Sequence, residues 1–309
     1  MAIPDMPPLI EETTMHFDPS RRLALAALSA LPLIQLGGCA NVGAGPETDG
    51  RFSALERDLN GRLGVFAIDT GSGRTLGYRQ DERFAMCSTF KAIAAAAVLS
   101  MQARQPGFLQ RRIRYTKADL VSYSPVTEKH LDDGMTLEEL CAATVIYSDN
   151  SAANLLMREI DGPSGVTRFT RSIGDATFRL DRWEPDLNSA IEGDPRDTTT
   201  PAAMVSTLRA LVLGSALPAP ERNLLTGWLL ACATGAERIR AGVPAGWRVG
   251  DKTGTGAFGS ANDVGVIWPH RGAPIVLAIF TVQKSADSEA RSDLVASAAR
   301  VVAERMQRA

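Results

Sequence analysis

Histidine is nearly missing from this chain, with three in 309 residues, at His16, His130 and His270. The first lies in a leader-like N-terminus, the second follows a polar stretch and the third sits in a Pro-His-Arg-Gly turn, so neither a Ser-His-Asp hydrolase nor a histidine-ligated zinc enzyme is supported. Cysteine is almost as scarce. Cys39, Cys87, Cys141 and Cys232 have no metal-site spacing and imply no disulfide framework, so no metal is expected. An excess of charge is lacking too. The formal net charge is -2, the longest basic run is Arg111-Arg112, and no aromatic series stands beside it, which argues against a nucleic-acid partner. There is no internal repeat, no low-complexity tract, and no apolar run that spans a bilayer comfortably. Lysine is the last scarcity: five against twenty-eight arginines. Arginine cannot give up its proton and evidently does most of the surface solvation, so a lysine in an apolar setting stands out.

One such lysine organises the chain. In Ala85-Met86-Cys87-Ser88-Thr89-Phe90-Lys91, a serine stands at the mouth of the apolar run Ile93 to Leu99, which reads as a buried helix. Ser88 falls in its first turn and Lys91 one turn on, facing the same way. A serine becomes a nucleophile only if a base removes its proton, and a lysine serves as that base only if burial lowers its pKa. S-x-x-K alone is equally explained by a capping serine and a snorkelling lysine.

With 45% hydrophobic residues the chain has ample material for a core. Residues 1–39 read as an export signal: Ser20-Arg21-Arg22 precedes the apolar Leu23 to Leu36, interrupted by Pro32, in the manner of a twin-arginine leader. Leu36-Gly37-Gly38-Cys39 has the form of a lipoprotein box that would make Cys39 a lipid anchor; ordinary cleavage nearby, with Cys39 discarded, explains it as well. Residues 1–14 are unlike a leader, which points to Met15 as the start. The expected location is the periplasm, free or lipid-anchored. Residues 40–50 read as a linker, and 51–309 as the catalytic domain.

Within that domain, Phe52, Leu55, Leu59 and Leu63 carry helical spacing, and Leu63 to Ile68 and Thr75 to Tyr78 read as strands. Trp247 to Asp251, Asp263 to Trp268 and Pro274 to Val282 are strand-like, and Ser288 to Met306 closes the chain as a helix. Between them, Thr136-Leu137-Glu138-Glu139 opens a helix with a capping box, Asn150 is placed to cap the next, Ser151 to Ile160, and Asp161-Gly162-Pro163 stops it. Pro201 to Leu213 and Glu221 to Ala231 supply two more helices. The expected class is α+β in two lobes: an antiparallel sheet built from both chain ends and covered by terminal helices (about 51–80 and 230–309), plus an inserted all-helical lobe (about 81–229). A cleft between the lobes is the natural ligand site.

Two further triplets bear on that cleft. Ser148-Asp149-Asn150 sits at a break between helices, and Lys252-Thr253-Gly254 follows a strand-like run; a solvated turn and a strand end explain each by itself. Together with S-x-x-K, in this order, they form the motif set of class A β-lactamases and penicillin-binding proteins. Over roughly residues 50 to 308 the chain resembles a class A serine β-lactamase, and Glu184-Pro185-Asp186-Leu187-Asn188 is similar to the E-x-x-L-N segment that peptidoglycan transpeptidases lack.

The resemblance implies hydrolysis of the lactam amide of penicillins and cephalosporins, without cofactor, by a monomer whose partner is the small-molecule substrate. Ser88 matches the nucleophile, Lys91 and Glu184 the bases proposed to activate it, Glu184 and Asn188 the pair that prepares the deacylating water, and Ser148 the proton relay to the lactam nitrogen, with Lys252 beside it. The backbone N–H groups of Ser88 and Thr255 match the oxyanion hole. Asn150 and Tyr123 match substrate-contacting positions, Lys252, Thr253, Thr255 and Arg238 those that bind its carboxylate, and Arg182 with Asp197 the ion pair clasping the loop around Glu184, where a cis bond at Glu184–Pro185 is common. Two family disulfides are not expected, because the partner positions of Cys87 and Cys141 are Gly256 and Ala95. A D-alanyl-D-alanine peptidase or transpeptidase shares three of the motifs, and Glu184 argues against it; a covalent penicillin sensor is the other alternative, and the want of further spans or an effector argues against that.

Overall fold

The computed structural model describes residues 47–307, so the leader and Cys39 lie outside the described residues. In order, the elements are α1 (Gly50–Leu59), β1 (Gly61–Asp69), β2 (Thr75–Tyr78), β3 (Phe84–Ala85), α2 (Phe90–Arg104), β4 (Arg112–Ile113), β5 (Met135–Thr136), α3 (Leu137–Ile146), α4 (Asn150–Arg158) and α5 (Gly162–Ser172). They continue with β6 (Thr198–Thr199), α6 (Pro201–Val212), α7 (Ala219–Leu230), α8 (Ile239–Gly242), β7 (Arg248–Gly256), β8 (Ser260–Trp268), β9 (Ile275–Gln283) and α9 (Ser292–Gln307).

The main sheet runs β2-β1-β9-β8-β7, antiparallel throughout, with β1 paired to β9 from Gly61↔Gln283 to Asp69↔Ile275. Both chain ends thus build one α+β sheet. The apolar run of β9 is continuous because both faces of the strand are covered. Ile275, Leu277 and Ile279 join Phe52, Leu59, Val295 and Val302 of α1 and α9 in one core, whereas Val276, Ala278 and Phe280 belong to the core shared with the helices. At the centre of that second core α2 is buried along Phe90 to Leu99, which its alanines permit by keeping the helix slim.

Local readings differ in four places. Leu63, which the pattern offers both to the first helix and to the strand after it, lies on β1 and shares one core with Phe52. Asn150 is the first residue of α4 and not its cap; Asp149 caps, its Oδ1 accepting from Ala152 N at 2.8 Å. Gly162 and Pro163 do not merely end a helix but open α5, where a proline in the first turn loses no intrahelical bond. Residues 47–49, read as linker, are tied down: Glu47 bridges to Leu76 beside β2 and pairs with Arg74 and Arg305.

Candidate active site

Ser88 occupies a 3₁₀ turn, Cys87–Thr89, that runs into α2. The turn is unusual at Cys87, whose φ of 47° places a non-glycine residue in the left-handed region, and it is pinned from behind by Asn262, whose Nδ2 donates to Ala85 O and Met86 O. One turn on, Lys91 is wholly buried. Its Nζ lies 2.9 Å from Ser88 Oγ, 2.9 Å from Glu184 Oε1, 2.8 Å from Ser148 O and 2.5 Å from Asn150 Oδ1. Burial pushes the Lys91 ammonium below the ordinary lysine value, while the Glu184 carboxylate pulls the other way.

Glu184 arrives on a loop with little regular structure. Its Oε1 is 3.3 Å from Ser88 Oγ, and its Oε2 accepts from Asn188 Nδ2 at 2.5 Å. Asn188 Oδ1 is buried and accepts no hydrogen bond from the protein. Side chains fix the loop. Asp197 is buried and accepts from Asp181 N, Arg182 N and Arg182 Nε, at 2.7, 2.9 and 2.5 Å. The Glu184–Pro185 bond is cis. Asn154, which sequence reasoning passed over, clamps Glu184 by both backbone groups: Oδ1 accepts from Glu184 N at 3.0 Å and Nδ2 donates to Glu184 O at 2.9 Å. Its signal was there, since Asn154 follows Asn150 by one helical turn and so shares its face.

On the opposite wall, Ser148 has φ 61° and turns its hydroxyl toward two lysines: Lys252 Nζ donates to Oγ at 2.9 Å, and Lys91 Nζ stands 3.4 Å away. Lys252 is also wholly buried, and desolvation, with Lys91 nearby, lowers it to about 7. Asn150 is engaged at both ends of its amide, by Lys91 and by Ser122 O, and Tyr123 stands at the rim, 59% exposed, its carbonyl accepting from Asn150 N.

The strand β7 is the edge of the sheet, so alternate N–H groups point away from it. It approaches Ser88 closely because residue 254 is glycine: a Cβ there would lie 2.7 Å from Met86 O and 3.1 Å from Ser88 N. Arg238, expected at the substrate's carboxylate, is buried; Nη1 donates to Gly254 O and Asn262 O, and Nη2 to Thr255 Oγ1 at 2.7 Å. A guanidinium only donates, so Thr255 keeps its own hydroxyl hydrogen for another acceptor. Cys87, Cys141 and Cys232 are buried free thiols.

The sequence profile of the β-lactamase enzyme family matches residues 49–306. The chain is 52% identical over 287 residues to the carbapenem-hydrolyzing β-lactamase KPC of Klebsiella oxytoca, covering 92% of this chain and 96% of that one. It is 51% identical over 292 residues to β-lactamase AST-1 of Nocardia asteroides, covering 91% and 94%. A β-lactamase crystal structure from Desulfarculus baarsii DSM 2075 superposes with a TM-score of 0.82 at 60% identity, covering 83% of this chain and 96% of that one. Agreement of this extent in sequence and fold leaves one assignment: the chain belongs to the β-lactamase enzyme family, in its class A serine branch.

Proposed function

We propose that this protein hydrolyses the lactam amide of penicillins and cephalosporins through an acyl-enzyme on Ser88. The observation that carries the reading is the convergence of a buried amine and a carboxylate on one hydroxyl: Lys91 Nζ at 2.9 Å and Glu184 Oε1 at 3.3 Å from Ser88 Oγ. In acylation the Ser88 oxygen bonds to the lactam carbonyl carbon and yields its proton to the Lys91–Glu184 pair. The oxyanion lies between the N–H groups of Ser88 and Thr255, where one donor is worth about 10²–10³ in rate. As the C–N bond breaks, Ser148 gives its proton to the departing nitrogen and takes up through Lys91 the proton that Ser88 gave, so Glu184 is again a free carboxylate; Lys252 flanks Ser148 on its other side. A water held by Glu184 and Asn188 then loses its proton to Glu184 and attacks the ester carbonyl carbon; as the C–O bond breaks, that proton passes from Glu184 to Ser88 Oγ, and the ring-opened acid leaves. The substrate carboxylate meets Lys252, Thr253 and Thr255, the last oriented by Arg238. Peptidase or sensor chemistry gives Glu184 no task.

Glu184→Ala should accumulate a covalent benzylpenicillin adduct on Ser88, seen by intact mass, while the wild type turns the drug over; an adduct-free, fully active variant would reject the mechanism. The export leader, the periplasmic location and the anchor at Cys39 belong to the same proposal. Its test is metabolic labelling with a fatty acid: the wild type should take up label that Cys39→Ser abolishes, and an unlabelled wild type would overturn the anchor.

A further inference from the structure

The segment between α7 and α8 reaches both threonines of β7. Arg238 donates to Thr255 Oγ1, and four residues earlier Thr234 Oγ1 lies 2.5 Å from Thr253 Oγ1. Behind Thr234 stands the thiol of Cys232, Sγ to Oγ1 3.4 Å, itself buried. The backbone of Thr253 is held as well, since Lys252 Nζ donates to its carbonyl at 2.8 Å.

Each hydroxyl has one hydrogen, so the direction of this chain decides what Thr253 offers to a ligand. If Thr253 donated to Thr234, only a lone pair would face an incoming carboxylate, and the contact would repel. If Cys232 donates to Thr234 and Thr234 to Thr253, the Thr253 hydrogen is left for the carboxylate. Arg238 imposes this polarity on Thr255, because it has no acceptor. We propose that Thr234, backed by Cys232, does the same for Thr253, as a positioning residue that sets the hydroxyl to donate to the substrate's carboxylate. The proposal rests on the β-lactamase reading and deepens it.

The test compares benzylpenicillin with its methyl ester, which lacks the anionic acceptor, in wild type, Thr234→Val, Thr234→Ser, Cys232→Ala and Cys232→Ser. Thr234→Val should raise KM for the free acid about fivefold, the scale of one hydrogen bond, with kcat within twofold and the ester little affected. Thr234→Ser should restore the wild-type KM. Cys232→Ala should raise KM in the same direction by less, and Cys232→Ser should hold it. Equal losses on acid and ester, a fall confined to kcat, or failure of Thr234→Ser to restore KM would overturn the proposal. A wild type that leaves both compounds intact would instead overturn the reading beneath it.

Discussion

The two walls of the site are held in place by different means. The β7 wall, carrying Lys252 to Thr255, is paired along its length with β8 from Arg248↔Trp268 to Gly256↔Ser260, so backbone bonds set its position whatever the side chains. The wall carrying Glu184 has only a short 3₁₀ turn, Asp186–Asn188, and relies on the side chains of Arg182, Asp197, Asn154 and Asp181. A polar substitution in the first wall should therefore change chemistry without moving the frame, which only added bulk at the close approach to Ser88 can displace. In the second, a change of one side chain should move the base. The difference is exposed most sharply by steric and by polar variants, one on each wall.

The largest effect is expected on the strand side, where position is secure but clearance is nil. Gly254→Ala puts a methyl 2.7 Å from Met86 O, so either β7 or the nucleophile turn must give way and the oxyanion donors part. Acylation, read as kcat/KM for benzylpenicillin, should fall by about 10²–10³. A fall below tenfold would mean that the two segments are not locked together.

Arg182→Ala tests the loop side. The Arg182 side chain keeps one-fifth of its surface exposed, while its partner Asp197 is fully buried and retains two backbone donors after the change. The clasp is weakened, not abolished. Turnover should drop by about 10-fold or more through misplaced deacylation, with acyl-enzyme visible in the steady state, while the melting temperature moves only a few degrees. Loss of stability in proportion to activity would refute the idea that this pair serves the loop more than the fold.

How far the sequence announced this site follows the same division. Strands, capping boxes and the sheet from both ends were legible because they rest on local periodicity: β2 spans Thr75–Tyr78 as read, and Thr136 with Glu139 forms the reciprocal cap expected of it. The three triplets were legible as spacing. What spacing does not encode is where a backbone leaves the ordinary regions. Cys87, Tyr123 and Ser148 all have positive φ, and although turn signals stand at the last two, no glycine marked any of them, since tertiary contacts and not propensity hold them there. Asn150 was misjudged for a similar reason. Asparagine caps helices well, but here Asp149 takes the cap and leaves the amide for Lys91. Thr234 was invisible because its partner lies nineteen residues away, beyond α8.

The smallest effect separates the two buried lysines, Lys252 of the β7 wall and Lys91 of α2, which pairs with Glu184 of the other. Lys91 has Glu184 as a counterion at 2.9 Å; Lys252 has only the neutral oxygens of Ser148 and Thr253 within hydrogen-bond reach among the described residues. Desolvation accordingly brings Lys252 down to about 7, whereas the unfolded chain would keep a lysine near about 10.4. Between these values the folded protein binds fewer protons than the unfolded one, so the contribution of Lys252 makes stability rise with pH across that window and stay level below it. Lys252→Met removes the contribution. Its stability relative to wild type, from urea unfolding, should be greatest at pH 6 and decline as pH climbs toward 9. Catalysis should run the other way: above about 7 the free enzyme loses the charge that attracts the carboxylate, so kcat/KM for benzylpenicillin should fall several-fold from pH 7 to 8. A difference in stability that is flat with pH, together with an alkaline limb unchanged for the methyl ester, would place the titration on some other group and erase the contrast between the lysines.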